Sequence, residues 1–185
     1  DFQNDSIDYL PAILNNSTWI VVNSQVSREL SKSAYLQRVK ECNEGLKILE
    51  HEFSITSFRD IEKYMLESLK NKANILYKRL CHVINENQRV MDMKNQLQQG
   101  ATKEIGKILQ ASHESLKSLY EVSCEEIDYI IETSENVDGW YGGRIMGGGF
   151  GGCCIHLVEK KAVENFIDNI TVNYSIRFHL IPEIM

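Results

Sequence analysis

Gly139-Trp140-Tyr141-Gly142-Gly143-Arg144-Ile145-Met146-Gly147-Gly148-Gly149-Phe150-Gly151-Gly152 runs directly into Cys153-Cys154-Ile155-His156-Leu157-Val158. Eight of the eleven glycines of the chain fall between Gly139 and Gly152. A glycine in regular structure costs roughly 0.5–1 kcal/mol relative to alanine, so a run this dense needs a reason. Either several residues take positive φ, or another segment or a ligand approaches the backbone closely. Gly147-x-Gly149-x-x-Gly152 matches the dinucleotide fingerprint in letters, but that fingerprint leads from a strand into a helix. Here the glycines lead into an apolar run of strand character, and no Gly-Lys-Ser/Thr follows to make a Walker loop. The stretch therefore reads as a β-hairpin, with Arg144-Ile145-Met146 the shorter partner of Cys153–Val158. A tight bulged turn with no ligand and a phosphate- or sugar-facing lip both fit these residues.

Outward from the hairpin, the periodicities define the rest. Thr18–Asn23 is β-branched and aromatic between polar residues and predicts a buried strand. Ile7–Leu14 is a weaker strand candidate, confined to an edge or a turn by Pro11. Apolar spacings of three and four predict a helix over Ser33–Glu52, a short one marked by Phe58, Ile61, Met65 and Leu69, and a long one from Ile75 that stops at Gly100. A further helix spans Ile105 to Leu116, and another carries Ile127, Ile130 and Ile131, with Ser123 as N-cap and Glu126 completing a capping box. After the hairpin, Lys160–Ile170 predicts a helix, with Lys160-Lys161 in its solvated first turn. Tyr174–Ile181 alternates as a last strand that Pro182 ends. The order β-α-β-β-α-β is the ferredoxin-like split βαβ arrangement, with its first crossover enlarged into several helices. The fold class is α+β, one domain over residues 1–185.

Composition removes other possibilities. The 185 residues carry 20 Lys+Arg against 26 Asp+Glu, a net charge of −6. That sign disfavours binding to nucleic acid through phosphate contacts. No apolar run reaches the ~18 residues of a membrane span. The five cysteines, Cys42, Cys81, Cys124, Cys153 and Cys154, are odd in number and form no C-x-x-C pair, so reduced thiols and a cytoplasmic location are expected. Cys153 and Cys154 are neighbours on a strand and point to opposite faces. The polar opening Asp1-Phe2-Gln3-Asn4-Asp5 does not resemble a signal peptide.

Five segments carry a family resemblance. Asn23-Ser24 through Arg28-Glu29-Leu30, Ser33-Ala34-Tyr35 and Arg38 to Cys42 is similar to N-S-x-V-x-H-E-L-x-x-S-x-Y-x-x-R-x-x-x-C. His82 to Val90 is similar to H-V-V-x-E-N-x-R-V. Ser112-His113-Glu114-Ser115-Leu116 and Tyr120-Glu121-Val122-Ser123-Cys124 match S-H-x-S-L and Y-E-V-S-C. Gly142 to Gly152 resembles G-S-R-x-T-G-G-G-F-G-G. Together they resemble the C-terminal half of galactokinases, in the GHMP small-molecule kinase superfamily. Gly143 and Met146 stand where the family has serine and threonine, and Arg28 where it has histidine, which bears on fine substrate preference. The related N-acetylgalactosamine kinases carry a different loop and lack the tyrosine at the position of Tyr35.

What the resemblance implies is specific. The intact enzyme would phosphorylate the anomeric hydroxyl of galactose with ATP and Mg2+, which the other half mainly holds. The family's phosphate loop, its G-E-H sugar segment and its catalytic aspartate and arginine lie in that N-terminal half. The first residue here is not Met, so this chain is expected to be a fragment, inactive alone, with no catalytic or metal-binding residue of its own. Its partners would be galactose, ATP and its own N-terminal domain. Tyr35 would bond the sugar, although its spacing also suits an inward helix position. Gly147, Gly148, Gly149, Phe150, Gly151 and Gly152 would form a loop beside the substrate, packed against the phosphate loop. His82, His113, Glu121 and Asp128 look like an acid–base set, but helix positions with satisfied or solvated side chains suit them better. A galactose-sensing transcriptional regulator of the same architecture and a free-standing ferredoxin-like regulatory domain are the alternatives.

Overall fold

Four antiparallel strands form one sheet in the order β2-β3-β1-β4. They are β1 (Ser17–Asn23), β2 (Trp140–Ile145), β3 (Cys153–Glu159) and β4 (Glu183–Ile184). This is the split βαβ order, with β3 inserted between β1 and β2. The computed structural model describes residues 6–7, 9–12, 14–26 and 31–185, with side chains in the first helix described from residue 33. Arg28, Glu29 and Leu30 lie outside the described residues, and the described part of Ile7–Leu14 forms no strand.

The first crossover holds α1 (Ser31–Phe53), two 3-10 turns at Phe58–Asp60 and Lys63–Leu66, α2 (Glu67–Lys70), α3 (Asn74–Gln99), α4 (Thr102–Ser115) and α5 (Glu125–Ser134). The short helix expected over Phe58–Leu69 is thus broken into three pieces. At its start Asp60 Oδ2 accepts hydrogen bonds from the amides and hydroxyls of Thr56 and Ser57, a turn that competes with helix propagation. Helix α3 ends as expected at Gly100, which takes φ 64°. At α5 the N-cap is Cys124 rather than Ser123, whose hydroxyl donates instead to the Asp128 carboxylate.

The sheet is covered on both faces. Ile20, Val22, Ile145, Cys154 and Val158 face a core with Ile127, Ile130 and Ile131 of α5 and Phe166, Ile170 and Tyr174 of α6 (Val163–Phe178). On the other face Leu157, Trp19 and Tyr141 pack against Ile105 and Leu109 of α4 and Met93 and Leu97 of α3. Helix α4 lies so close to β2 that a Cβ at Gly106 would strike the Tyr141 carbonyl, and one at Gly142 the Gly106 carbonyl. A register shift between Trp140 and Gly142 accompanies this approach. A separate core, with Leu49, Leu69 and Leu80 fully buried, joins α1 to α2 and α3.

The strand expected over Tyr174–Ile181 is instead the continuation of α6 to Phe178. Phe166, Ile170 and Tyr174, at helical spacing, are at most 1% exposed, and burying each side chain of that kind contributes about 1.5–3 kcal/mol. The Tyr174 hydroxyl donates to the Ser24 carbonyl at 2.7 Å, tying α6 to the end of β1. The last strand comes only after Pro182, pairing Glu183 with Asn23 and Ile184 with Val22.

Candidate functional site

The hairpin between β2 and β3 has a tethered tip. Gly147, Gly149, Phe150, Gly151 and Gly152 all take positive φ. The Phe150 amide donates to the Val122 carbonyl at 2.7 Å, and the Gly152 amide donates to the Val26 carbonyl at 2.9 Å. In return, the Gly152 carbonyl accepts from the Ser24 amide at 2.9 Å and from the Ser24 hydroxyl at 2.8 Å. Two glycines are required by the fold itself: a Cβ at Gly149 would strike the Val122 carbonyl, and one at Gly151 the Val26 carbonyl. Gly147, Gly148 and Gly152 have open space where a Cβ would sit. Those six loop residues form one continuous tip, part bound down and part bare.

Tyr35 lies near the start of α1 and is 48% exposed, beside Leu36 at 65%. Its helical spacing suited an inward position, yet this end of the stripe is uncovered. Three residues on, Arg38 turns inward. Its Nε donates to the Tyr120 carbonyl at 2.6 Å and its Nη2 to the Glu121 carbonyl at 3.3 Å, while Nη1 meets Glu41 Oε2 at 3.1 Å. Arg79 of α3, only 2% exposed, donates from Nε to Glu41 Oε2 at 2.6 Å, from Nη1 to the Leu119 carbonyl at 2.5 Å and from Nη2 to Glu121 Oε2 at 2.8 Å. Burial alone would raise the Glu41 carboxyl, but Arg79, Gln37 and Arg38 hold it below its ordinary value. Glu121 is held low chiefly by its hydrogen bond from Arg79. Sequence reasoning did not find Arg79 or Glu41. Only the Arg38–Glu41 spacing of one helical turn was a signal, because Glu41 and Arg79 are 38 residues apart.

The four acid–base candidates all have partners from the fold itself. His82 is buried, its Nδ1 2.8 Å from the Ser115 hydroxyl, and it stacks on Tyr120 with centroids 4.4 Å apart. Burial lowers it to about 4. His113 Nδ1 accepts from the Ile145 amide at 3.4 Å, which leaves Nε2 to carry the proton toward Asp128 Oδ1 at 3.3 Å. Burial would raise Asp128, but hydrogen bonds from His113, Ser123 and Lys117 outweigh it and hold the carboxyl low. Glu121 does not sit on a helix as expected; it takes φ 56° just past a π turn at Leu116–Tyr120. At the hairpin's entrance Arg144 Nη1 reaches Ser112 Oγ at 3.0 Å and Glu86 Oε2 at 3.3 Å, fastening β2 to α3 and α4. Among the described residues no three His, Cys, Asp or Glu side chains come together as a metal site.

Residues 93–175, from within α3 to within α6, match the family model described as GHMP kinases C terminal. That stretch is thus a GHMP kinase C-terminal domain by its family model. The chain is 40% identical over 173 residues to the galactokinase of Thermotoga neapolitana, which covers 94% of this chain and 47% of that protein. It is 41% identical over 171 residues to the galactokinase of Thermotoga maritima, covering 92% of this chain and 47% of that protein. Among solved structures it superposes on Lactococcus lactis galactokinase complexed with galactose with a TM-score of 0.88 at 29% identity, over 95% of this chain and 46% of that one. Leishmania major mevalonate kinase in complex with R-mevalonate shares the fold, with a TM-score of 0.50 at 16% identity over 91% of this chain and 40% of that one. The chain thus matches the C-terminal half of galactokinases and spans about half the length of the curated relatives it matches. No helix among the described residues is long and apolar enough to cross a membrane.

Proposed function

We propose that this chain is the C-terminal half of a galactokinase, which as an intact protein transfers the γ-phosphoryl group of MgATP to the anomeric hydroxyl of galactose. The observation that carries the reading is the 40% identity to a galactokinase across 94% of the chain. The same likeness favours an enzyme over a galactose sensor or a free-standing regulatory domain. Catalysis of this type rests on positioning and charge stabilisation, and this half does the positioning. The exposed Tyr35 phenol offers one donor and two acceptor lone pairs to a sugar hydroxyl. The exposed tip at Gly147 and Gly148 leaves room for the sugar or for the phosphate loop of the other half. Positive φ already accounts for Gly147 and Gly152, so the proposed role explains Gly148, which neither φ nor packing requires. ATP and Mg2+ would be held mainly by the other half, where the family carries its phosphate loop and catalytic aspartate. Five free cysteines suit a reducing, cytosolic setting.

The test is ADP release by the full-length protein with and without galactose. Galactose-dependent turnover is expected, with Tyr35→Phe raising the galactose KM by roughly tenfold, the worth of one hydrogen bond, and leaving the ATP KM unchanged. The 185-residue chain alone should release no ADP. Binding of both ligands by the full-length protein without turnover would identify a sensor, and turnover by the isolated chain would put a catalytic group in this half.

A further inference from the structure

Leu119 and Tyr120 close the π turn that ends α4, Glu121 and Val122 follow it, and each of the four carbonyls is taken. Leu119 accepts from Arg79, Tyr120 and Glu121 accept from Arg38, and Val122 accepts from the Phe150 amide of the glycine hairpin. The amides of Glu121 and Val122 both donate to the Leu116 carbonyl, which folds the segment back on the turn. Carbonyls at a helix end have no partner within the helix and need one from elsewhere. Cationic side chains suit that end because they also meet the negative end of its dipole. Here the two guanidiniums come from α1 and α3 and share Glu41 between them. The hairpin is seated on the same segment from the other side, with Gly149 close against Val122.

We propose that Arg38 and Arg79 are positioning residues: by holding the carbonyls of Leu119, Tyr120 and Glu121 they set the place of the Val122 carbonyl, and so fix the hairpin tip relative to Tyr35. The path is continuous. Tyr35 precedes Arg38 by one turn of α1, Arg38 grips Tyr120 and Glu121, and Val122 carries Phe150. Arg79 anchors the path to α3, and its near-complete burial makes it the stiff member. The functional consequence rests on the galactokinase reading: a loosened segment lets the tip drift from the sugar-contacting tyrosine, weakening galactose binding while ATP binding is retained. Neither arginine touches the reacting atoms in this account.

The variant of choice is Arg38→Lys in the full-length protein, since lysine keeps the charge but cannot serve two carbonyls and Glu41 in one planar fork. Glu41→Gln is the second variant, and Arg177→Lys, at an exposed pair with Glu125, is the control. Hydrogen exchange at the Phe150 amide reads the coupling directly, whatever the enzyme does. It should accelerate by roughly tenfold, the factor that about 1.4 kcal/mol represents, in both variants and not in the control. Amides of the β1–β3 ladder should keep their protection, which separates local loosening from general destabilisation. The galactose KM should rise severalfold with the ATP KM unchanged. Unaltered Phe150 exchange in both folded variants overturns the coupling. Faster exchange with an unaltered galactose KM overturns its consequence for the sugar. A wild-type protein without galactose-dependent turnover defeats the galactokinase reading and that consequence, and the exchange measurement still decides the coupling.

Discussion

Acid should destabilise this domain well before its carboxylates protonate, and His156 is a chief cause. The imidazole is fully buried. Its Nδ1 accepts from Trp140 Nε1 at 3.1 Å, so the ring proton resides on Nε2, 3.1 Å from Cys154 Sγ. A second proton would place two donors face to face at Nδ1 and leave an unpaired charge beside Phe166, whose ring centroid is 5.1 Å away. Burial lowers His156 to about 3, from an ordinary 6.5. The folded value lies below the unfolded one, so the stability of the neutral ring is complete above about pH 6.5 and is lost as pH falls toward the folded value. Between about pH 7.5 and about pH 5 the unfolded chain gains this proton and the folded chain does not. The loss is about 2 kcal/mol, from ~1.5 pH units at 1.36 kcal/mol each. Urea unfolding followed by tryptophan fluorescence at several pH values measures it. His156→Gln should be less stable throughout, because Trp140 and Cys154 lose a well-shaped partner, but its stability should fall by about 2 kcal/mol less across that interval. His82 adds an acid-sensitive contribution common to both proteins, with its folded value near 4. Parallel stability curves for wild type and His156→Gln would refute the reasoning.

Two further substitutions separate folding from function in the glycine tip. Gly148→Val, where nothing lies within 4 Å of the added Cβ, should change stability by less than about 0.5 kcal/mol and lower galactose-dependent turnover of the full-length protein; unchanged kinetics would leave the tip a mere turn. Gly149→Val, at φ 83° against the Val122 carbonyl, should destabilise the domain by more than about 2 kcal/mol in the same urea titration. Gly106→Ala pushes a methyl group into the Tyr141 carbonyl and should lower the melting temperature by several degrees, for a loss of about 1–3 kcal/mol.

Elements with strong period and clear punctuation were legible: α3 stops at Gly100, and β1 and β3 fall on their β-branched runs. The end of the chain misled for a physical reason. Tyr174, Ile176, Phe178 and Leu180 alternate, and Thr171, Val172 and Ile176 favour strands, so the local pattern competed with the helical spacing of Phe166, Ile170 and Tyr174. Burial of the latter three decided it. Ser123 had the residue type of an N-cap but found a carboxylate first. The loop glycines were visible as a group, whereas their division into required and bare positions depends on where Val122 and Val26 arrive from distant sequence. The Arg38, Glu41, Arg79 and Glu121 cluster was unreadable for the same reason, since three separate stretches converge on it.

With helices clothing both sides of the sheet, its rim is what stays open. On the proposed function, substitution at the exposed Met146, Gly147 and Gly148, which belong to none of the buried clusters, would shift substrate preference while the interior stays intact. Of the two departures from the family pattern, Met146 falls on that open rim, whereas Gly143 is buried on β2, where a Cβ would strike the His156 ring, so only the former is free of the need to fold.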